Sequence, residues 1–184
     1  MGKPYNALRM YKENLNLVDI PALTAQQVLA DYRTIVLSRK LSQWGRREVH
    51  NGRAHFGIFG DGKELVQIVL SKFIQKGDWR SGYYRDQTLM LALGLLEPEE
   101  FFAMIYGDPD ESINPSTGGR NFNNHYATRN IDVNGEMKNL AAKVNTASDL
   151  SPTAGQMPRL LGLAQASKIV RNKPEMKRFL NNNI

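Results

Sequence analysis

Apolar positions recur at helical spacing along several stretches of the chain. Thr24 and Gln27 form a capping-box pattern, and the apolar residues that follow predict a long helix to about Arg47. Further helices are predicted at these stretches: Leu65 to Ile74, Gln87 to Leu93 after the candidate cap Asp86, Pro98 to Tyr106, and Ser151 to about Val170. The aromatic segment from Trp79 to Arg85 suits a strand or an extended turn. The pattern predicts a mainly α-helical chain with few short strands.

One long stretch has no periodicity. From Gly107 to Leu150 the chain is rich in Asn, Asp, Gly, Ser and Thr, which predicts a loop. A loop of this length in a compact chain is more often functional or covered by a partner than idle. We therefore expect this loop to carry part of a site.

Composition excludes several kinds of chemistry. The 184 residues contain no cysteine, which rules out disulfides, thiol nucleophiles and cysteine-based metal sites in this chain. The stretch from Met1 to Leu15 is too polar for a signal peptide, and no apolar run has the length of a membrane span. We expect a soluble protein in the reducing cytoplasm.

The net charge of +6 is concentrated in two stretches. From Ser38 to Arg53 there are five basic residues and one acidic residue, and from Ser151 to Ile184 there are six basic residues and one acidic residue. A basic module that binds nucleic acid or an acidic partner is one interpretation. Solvated helix faces carry such charge routinely, and no helix-turn-helix, RNP-type or zinc-finger pattern accompanies it, so nucleic acid is the less favoured partner.

Two sequence motifs are suited to holding an anion. In Tyr83-Tyr84-Arg85-Asp86 an arginine precedes a predicted helix, where its planar guanidinium and the helix N-terminus both favour a phosphate. The alternative is a surface ion pair of Arg85 with Asp86 or Glu64. Ser151 offers a hydroxyl at a second helix start, and its alternative role is that of an ordinary N-cap.

Other motifs carry weaker signals. Gly60-Asp61-Gly62 lacks the rest of a phosphate-loop pattern and predicts a turn before a helix. The histidines His50, His55 and His125 lack the spacing of a zinc site. His125 lies in the long loop, where it is either a general acid/base or a structural side chain.

Taken together and in order, five motifs resemble a known family. They are Gly62-Lys63-Glu64, Gly77-Asp78-Trp79, Tyr83-Tyr84-Arg85-Asp86-Gln87, Gly119-Arg120 leading to His125-Tyr126, and Ser151-Pro152 leading to Gln156-Met157-Pro158. The chain resembles the N-terminal part of the alpha portion of the thiamine-diphosphate-dependent first component of 2-oxo acid dehydrogenase complexes. The similarity is greatest to the bacterial form in which alpha and beta portions are fused.

The resemblance implies a fold and a site. The parent has the α/β thiamine-diphosphate-binding fold, with residues 1–23 as an N-terminal extension and 24–184 as a partial alpha-type domain. Tyr84 and Arg85 match the pair that holds the cofactor diphosphate, while Ser151 and Thr153 match positions that reach the cofactor. His125 matches a catalytic histidine that lines the active site, in proton transfer or substrate contact.

The resemblance also bears on metals. The family's magnesium motif would follow on the next strand, beyond Ile184, so a fragment without metal ligands is expected, and Asn123-Asn124 lies too far from Gly62 to complete that motif. Some members bind potassium in the loop that here contains Pro152 and Gln156. Leu150 and Gly155 replace the Ser and Thr that supply oxygens in those members, which argues against the ion.

The implied parent enzyme decarboxylates a small 2-oxo acid, of the 2-oxoisovalerate or pyruvate type, on thiamine diphosphate with Mg²⁺. It transfers the acyl group to the lipoyl group of an acyltransferase. The implied partners are the beta portion and that acyltransferase, in an oligomer. Another thiamine enzyme, such as an acetoin dehydrogenase or a transketolase-like protein, is the alternative. The fragment alone is expected to be inactive and to bind the cofactor only weakly.

Overall fold

The computed structural model describes residues 23–176, which are mostly helical. Its elements are α1 (Ala25–His50), α2 (Glu64–Ser71), β1 (Trp79–Arg80), α3 (Gln87–Ala92), α4 (Pro98–Tyr106), β2 (Asn145–Thr146) and α5 (Gln156–Asn172), with 3-10 turns at Leu140–Ala142 and Pro174–Met176. The expectation of a helical chain with few short strands is confirmed. The predicted extension, apart from its last residue, lies outside the described residues.

Helix α1 begins as its sequence predicts. The Thr24 hydroxyl accepts a hydrogen bond from the Gln27 N–H at 3.2 Å, and the Gln27 Oε1 accepts from the Thr24 N–H at 2.8 Å. This reciprocal pair satisfies two N–H groups that a helix start otherwise leaves unpaired. The helix continues to His50, three residues beyond the predicted end.

The core lies where α1, α3 and α4 pack against the loops that carry Phe59 and Tyr126. Its buried apolar residues are Leu41, Ala54, Phe59, Met90, Leu96, Phe101, Met104, Ile105 and Tyr126. Phe101 and Tyr126 are fully buried. Helix α5, in contrast, contains no buried residue, so the core is built from the chain before it.

Buried polar side chains lock α3 to its neighbours. The Gln87 amide donates to the Ser38 carbonyl of α1 at 2.8 Å, and the Ser38 and Thr88 hydroxyls are 2.7 Å apart. From α2, Gln67 accepts from the Leu89 N–H at 3.0 Å and donates to the Arg85 carbonyl at 2.9 Å. These bonds fix the start of α3 and the residue that precedes it.

Three local predictions are wrong. Helix α2 ends at Ser71 rather than Ile74, because the chain tightens there into turns that close onto residues three positions back. Asp86 occupies the N-cap position of α3 but makes no side-chain capping bond, because its carboxylate accepts from Arg80 and from the Tyr83 N–H. The last helix begins at Gln156 rather than Ser151.

The late start of α5 has a backbone cause. Ala154 has a φ of 67°, in the left-handed region, which a right-handed helix cannot contain. The residues before it form turns, and the Gly155 N–H donates to the Pro152 carbonyl at 3.1 Å. Ser151 is therefore not an N-cap, and its hydroxyl is left for another partner.

The two strands are parallel neighbours. Trp79 pairs with Asn145 and Arg80 with Thr146, so the segments that follow the two strands leave the sheet at the same edge. The predicted loop thus contains a strand of its own. Within residues 23–176, no helix is both long and apolar enough to cross a membrane.

Candidate functional site

The candidate site forms where the two strands end. After β1 the chain runs through Tyr83 to Arg85 into α3, and after β2 it runs through Asp149 to Thr153 before α5. Because parallel strands bring their carboxyl ends to one edge, these two segments lie side by side. A third segment, around His125, packs against both.

Tyr83 and Tyr84 form the aromatic part of the site. Their ring centroids are 3.9 Å apart, and the Tyr83 hydroxyl lies 2.8 Å from the hydroxyl of Thr153. The Thr153 hydrogen bond lowers the pKa of the Tyr83 phenol, while the hydrogen bond to Tyr83 raises the pKa of Tyr84. Thr153 is thereby joined to the segment after β1.

Arg85 is exposed and available to a ligand. Its guanidinium lies 5.3 Å from the centre of the Tyr84 ring, and its Nη1 donates to the Phe59 carbonyl at 3.2 Å. Among the described residues it makes no ion pair. The alternative ion pairs do not form, because Glu64 pairs with Arg39 at 2.6 Å and Asp86 pairs with Arg80 at 2.8 Å.

His125 is buried, and its partners indicate how its ring is protonated. Its Nδ1 lies 3.1 Å from the Asn123 carbonyl oxygen, which only accepts, so Nδ1 carries a proton. In the neutral ring Nε2 is then an acceptor, and it lies 2.7 Å from the hydroxyl of exposed Ser151. The Tyr84 ring centroid is 6.2 Å away.

The five residues proposed from sequence therefore form one cluster. Arg85 contacts Tyr84, Tyr84 neighbours His125, His125 bonds Ser151, and Thr153 bonds the adjacent Tyr83. Their proximity was expected only through the resemblance. Their roles in binding and catalysis remain predictions.

The loop holding His125 is anchored by two asparagines that sequence reasoning missed. The Asn123 and Asn124 amides both donate to the Ile58 carbonyl, at 2.6 and 2.8 Å, and Asn123 Oδ1 accepts from the Ile58 N–H at 2.9 Å. Asn124 has a φ of 60°, a conformation that asparagine tolerates better than most residues. Adjacent asparagines before a histidine were the only available signal.

Arg80 and Asp149 are the other missed residues. Both are buried, and the Arg80 Nη2 donates to the Asp149 Oδ2 at 2.9 Å. They are 69 positions apart in the chain, so no local pattern predicts their pairing. Burial raises the pKa of Asp149, while the Arg80 charge opposes that shift.

Pro152 lies in the turns that precede α5, and Gln156 is the first residue of that helix. The Gln156 carbonyl accepts from the Ser81 hydroxyl at 3.0 Å, and the buried Gln156 Oε1 has no hydrogen-bond partner among the described residues. Within residues 23–176, no three His, Cys, Asp or Glu side chains come together as metal ligands. The expectation that Pro152 and Gln156 hold no ion stays a prediction.

Part of the first basic stretch is neutralised in the fold. Arg39 pairs with Glu64, Arg46 with Asp61, and Arg53 with Glu48. These three arginines are thus compensated locally, which weakens the interpretation of this stretch as a nucleic-acid surface.

Comparison with known proteins defines the class of protein. The family model described as the dehydrogenase E1 component matches residues 32–177, most of the chain, and the chain belongs to that family. This confirms the resemblance found in the sequence, and the family depends on thiamine diphosphate.

A particular relative is the 2-oxoisovalerate dehydrogenase subunit alpha of Bacillus subtilis (strain 168). It is 27% identical over 148 residues, which cover 80% of this chain and 40% of the relative. The chain thus spans less than half the length of this relative.

Proposed function

We propose that the chain supplies part of a thiamine diphosphate site in a 2-oxo acid dehydrogenase. Residues 24–184 would belong to an alpha-type domain of an α/β thiamine-binding fold. The observation that carries the proposal is the convergence of Tyr84, Arg85, His125 and Ser151 at the ends of two parallel strands.

The donor set fits a diphosphate. Arg85 presents a planar fork of N–H groups, which matches phosphate oxygens in pairs, and only its Nη1 is bonded within the described residues. Tyr84, Ser151 and Thr153 of the same cluster can add neutral hydrogen bonds through their hydroxyls. Packing of the guanidinium against the Tyr84 ring restricts its orientation, so less entropy is lost on binding.

His125 and Ser151 would serve the reacting end. When bound, thiamine diphosphate supplies the carbanion and the electron sink that decarboxylation requires. The Asn123 carbonyl holds the His125 ring so that Nε2 faces the site, where it can accept a proton and, once protonated, donate to a substrate oxygen. The Ser151 hydroxyl occupies that nitrogen until a ligand takes its place.

The relative's name and the exposed surface support proposals for the substrate and for a partner. We propose a small 2-oxo acid of the 2-oxoisovalerate or pyruvate type as substrate, Mg²⁺ as the metal cofactor, a beta portion as partner, and acyl transfer to a lipoyl acyltransferase. Leu65 and Val66 of α2 are 71% and 69% exposed, which suits burial against a partner. An acetoin dehydrogenase would share this site and differ in substrate.

Calorimetric titration of the full chain with thiamine diphosphate and Mg²⁺ tests the proposal. Arg85→Met removes charge-assisted hydrogen bonds of about 1.5–3 kcal/mol, so we expect affinity to fall at least ~10-fold. Binding of thiamine, which lacks the diphosphate, should change little.

Lys72→Met is the matched control. It removes the same charge from an exposed side chain that pairs only with Asp31 among the described residues, on the helix α2 side of the molecule. Its affinity for thiamine diphosphate should equal that of the wild type. Equal affinities of Arg85→Met and the wild type would refute the proposed diphosphate site.

A further inference from the structure

We propose that Arg80 is a positioning residue that holds the two segments of the cofactor site in register. The inference rests on the proposed function for its consequence in binding. It does not require Arg80 to contact the cofactor, since the side chain is only 6% exposed and lies beneath the site.

The Arg80 guanidinium bonds both segments at once. Toward the segment after β1 it donates to the Asp86 Oδ2 from Nε and Nη2, at 3.1 and 2.8 Å, and to the Tyr83 carbonyl at 3.3 Å. On the other side it donates to the Thr146 hydroxyl at the end of β2, at 2.5 Å, and to the Asp149 Oδ2 in the segment after β2, at 2.9 Å. Every N–H-bearing nitrogen is used.

Each carboxylate oxygen that accepts from Arg80 also accepts a hydrogen bond from a backbone N–H. The Asp86 Oδ2 that receives Arg80 also accepts from the Tyr83 N–H at 3.0 Å, which shapes the turn before Arg85. The Asp149 Oδ2 also accepts from the Tyr126 N–H at 3.2 Å, next to His125 in the chain. Through these two bonds Arg80 reaches all three segments of the site.

The positive charge of Arg80 keeps the carboxylates of Asp86 and Asp149 together. Burial lowers the pKa of Arg80, but the nearby carboxylates of Asp149 and Asp86 outweigh burial and raise it, so Arg80 stays charged. Without it, two carboxylates would face each other with no cation between them, and Asp149 is fully buried. One or both would have to move or take up a proton.

Substitution of Gly82 offers a second way to displace the Arg80 guanidinium. A Cβ built on Gly82 would overlap the Arg80 guanidinium. The guanidinium cannot swing away cheaply, because it is buried and bonded to four groups. Glycine at this position therefore leaves the space that the arginine occupies.

Hydrogen exchange of the full chain, followed by mass spectrometry, tests the positioning without any ligand. Arg80→Met should speed exchange about 10-fold or more in both segments, 81–86 and 147–153, because each lost charged hydrogen bond stabilises by at least ~1.4 kcal/mol. Gly82→Ala should speed exchange in the same two segments, and it should add little when combined with Arg80→Met.

Ser38→Ala is the control for general destabilisation. It removes the buried bonds to Thr88 and Gln87 between α1 and α3, away from Arg80. Its exchange should rise in those helices and not selectively in the two site segments. If Arg80→Met and Gly82→Ala gave that same pattern, or left the two segments unchanged, the positioning role would be overturned. Should Arg80→Met fail to fold, the outcome for Gly82→Ala decides.

Titration with thiamine diphosphate separates this inference from the proposed function. We expect Arg80→Met and Gly82→Ala to weaken binding at least ~10-fold, with Arg80→Lys recovering part of it, because lysine keeps the charge but lacks the fork. A wild-type chain that bound no thiamine diphosphate would refute the proposed function, while the exchange pattern would still decide the role of Arg80. Wild-type affinity in both Arg80→Met and Gly82→Ala would refute the inference alone.

Discussion

Glu100 of α4 is a carboxylic acid placed where its charge is unfavourable. It is 8% exposed, and its Oε1 accepts a hydrogen bond from the Ser116 hydroxyl at 2.8 Å. Burial raises its pKa, and the Ser116 bond only partly opposes that shift. The folded state therefore prefers the protonated acid more than the unfolded state does.

This environment predicts a pH-dependent gain from Glu100→Gln. As the pH rises through the unfolded and then the folded pKa, the unfolded state loses its proton first, so the free energy of unfolding of the wild type falls. Glutamine does not titrate and can still accept from Ser116. We expect the variant to gain stability relative to the wild type between pH 4 and pH 7, measured by urea unfolding at each pH.

Glu99→Gln is the control for that comparison. Glu99 precedes Glu100 on the same helix and is exposed, so the same substitution there relieves no burial and should not stabilise the protein. A Glu100→Gln variant whose stability relative to the wild type was the same at both pH values would contradict the predicted effect of burial.

The candidate site residues nearer the surface could be predicted from the sequence, whereas the buried residues that hold them could not. Tyr84 and Arg85 are adjacent, and their types alone suggest an anion site. Arg80 precedes Arg85 by only five positions, but no local sequence pattern indicates its role, because its partner Asp149 lies 69 positions away. Contacts of that range depend on the tertiary fold, which spacing along one sequence does not specify.

At the scale of elements, Gly45 shows how closely α1 approaches the core. A Cβ at this position would overlap the Phe59 ring and the Ile105 side chain, which are both buried core residues. Glycine in a helix interior costs about 1 kcal/mol relative to alanine, so its presence here is explained by the close approach. The contact joins α1 to α4 and to the segment that carries Phe59.

Gly45→Ala should therefore destabilise the fold despite its better helix propensity. We expect a loss of about 1–3 kcal/mol from overpacking, read from chemical denaturation. Gly162→Ala in α5 is the matched control, because a Cβ there meets no atom within 4 Å. That variant should be unchanged or up to ~1 kcal/mol more stable. Equal effects at the two glycines would contradict the packing account.

Helix starts were predicted better than helix ends. The capping box at Thr24 and the proline at the first turn of α4 are local signals, and both helices begin where they indicate. The start of α5 was misplaced because the left-handed Ala154 and the bond from Ser151 to His125 interrupt the helix. The pairing of β1 with β2 could not be predicted, because a strand of two residues is too short to show an alternating pattern.

At the scale of the whole molecule, the candidate site is open on one side. Arg85, Ser151 and Thr153 are exposed, while His125 beneath them is buried. Electrostatic catalysis gains most where water is excluded from the reacting centre. A surface of this kind can bind an anion, but it needs a cover before it can favour charge development in a transition state.

We therefore expect the 184-residue chain alone to bind thiamine diphosphate without turning over 2-oxo acids. Decarboxylation of 2-oxoisovalerate and pyruvate, followed by reduction of a dye acceptor with cofactor and Mg²⁺ present, should stay at the level of an Arg85→Met control. Addition of a beta portion, together with the part of an alpha subunit that the match to the relative does not cover, should permit turnover and bury the exposed cluster. Decarboxylation by the chain alone, lost in Arg85→Met, would show instead that the described cluster is sufficient, and that water exclusion by a partner is not needed for this reaction.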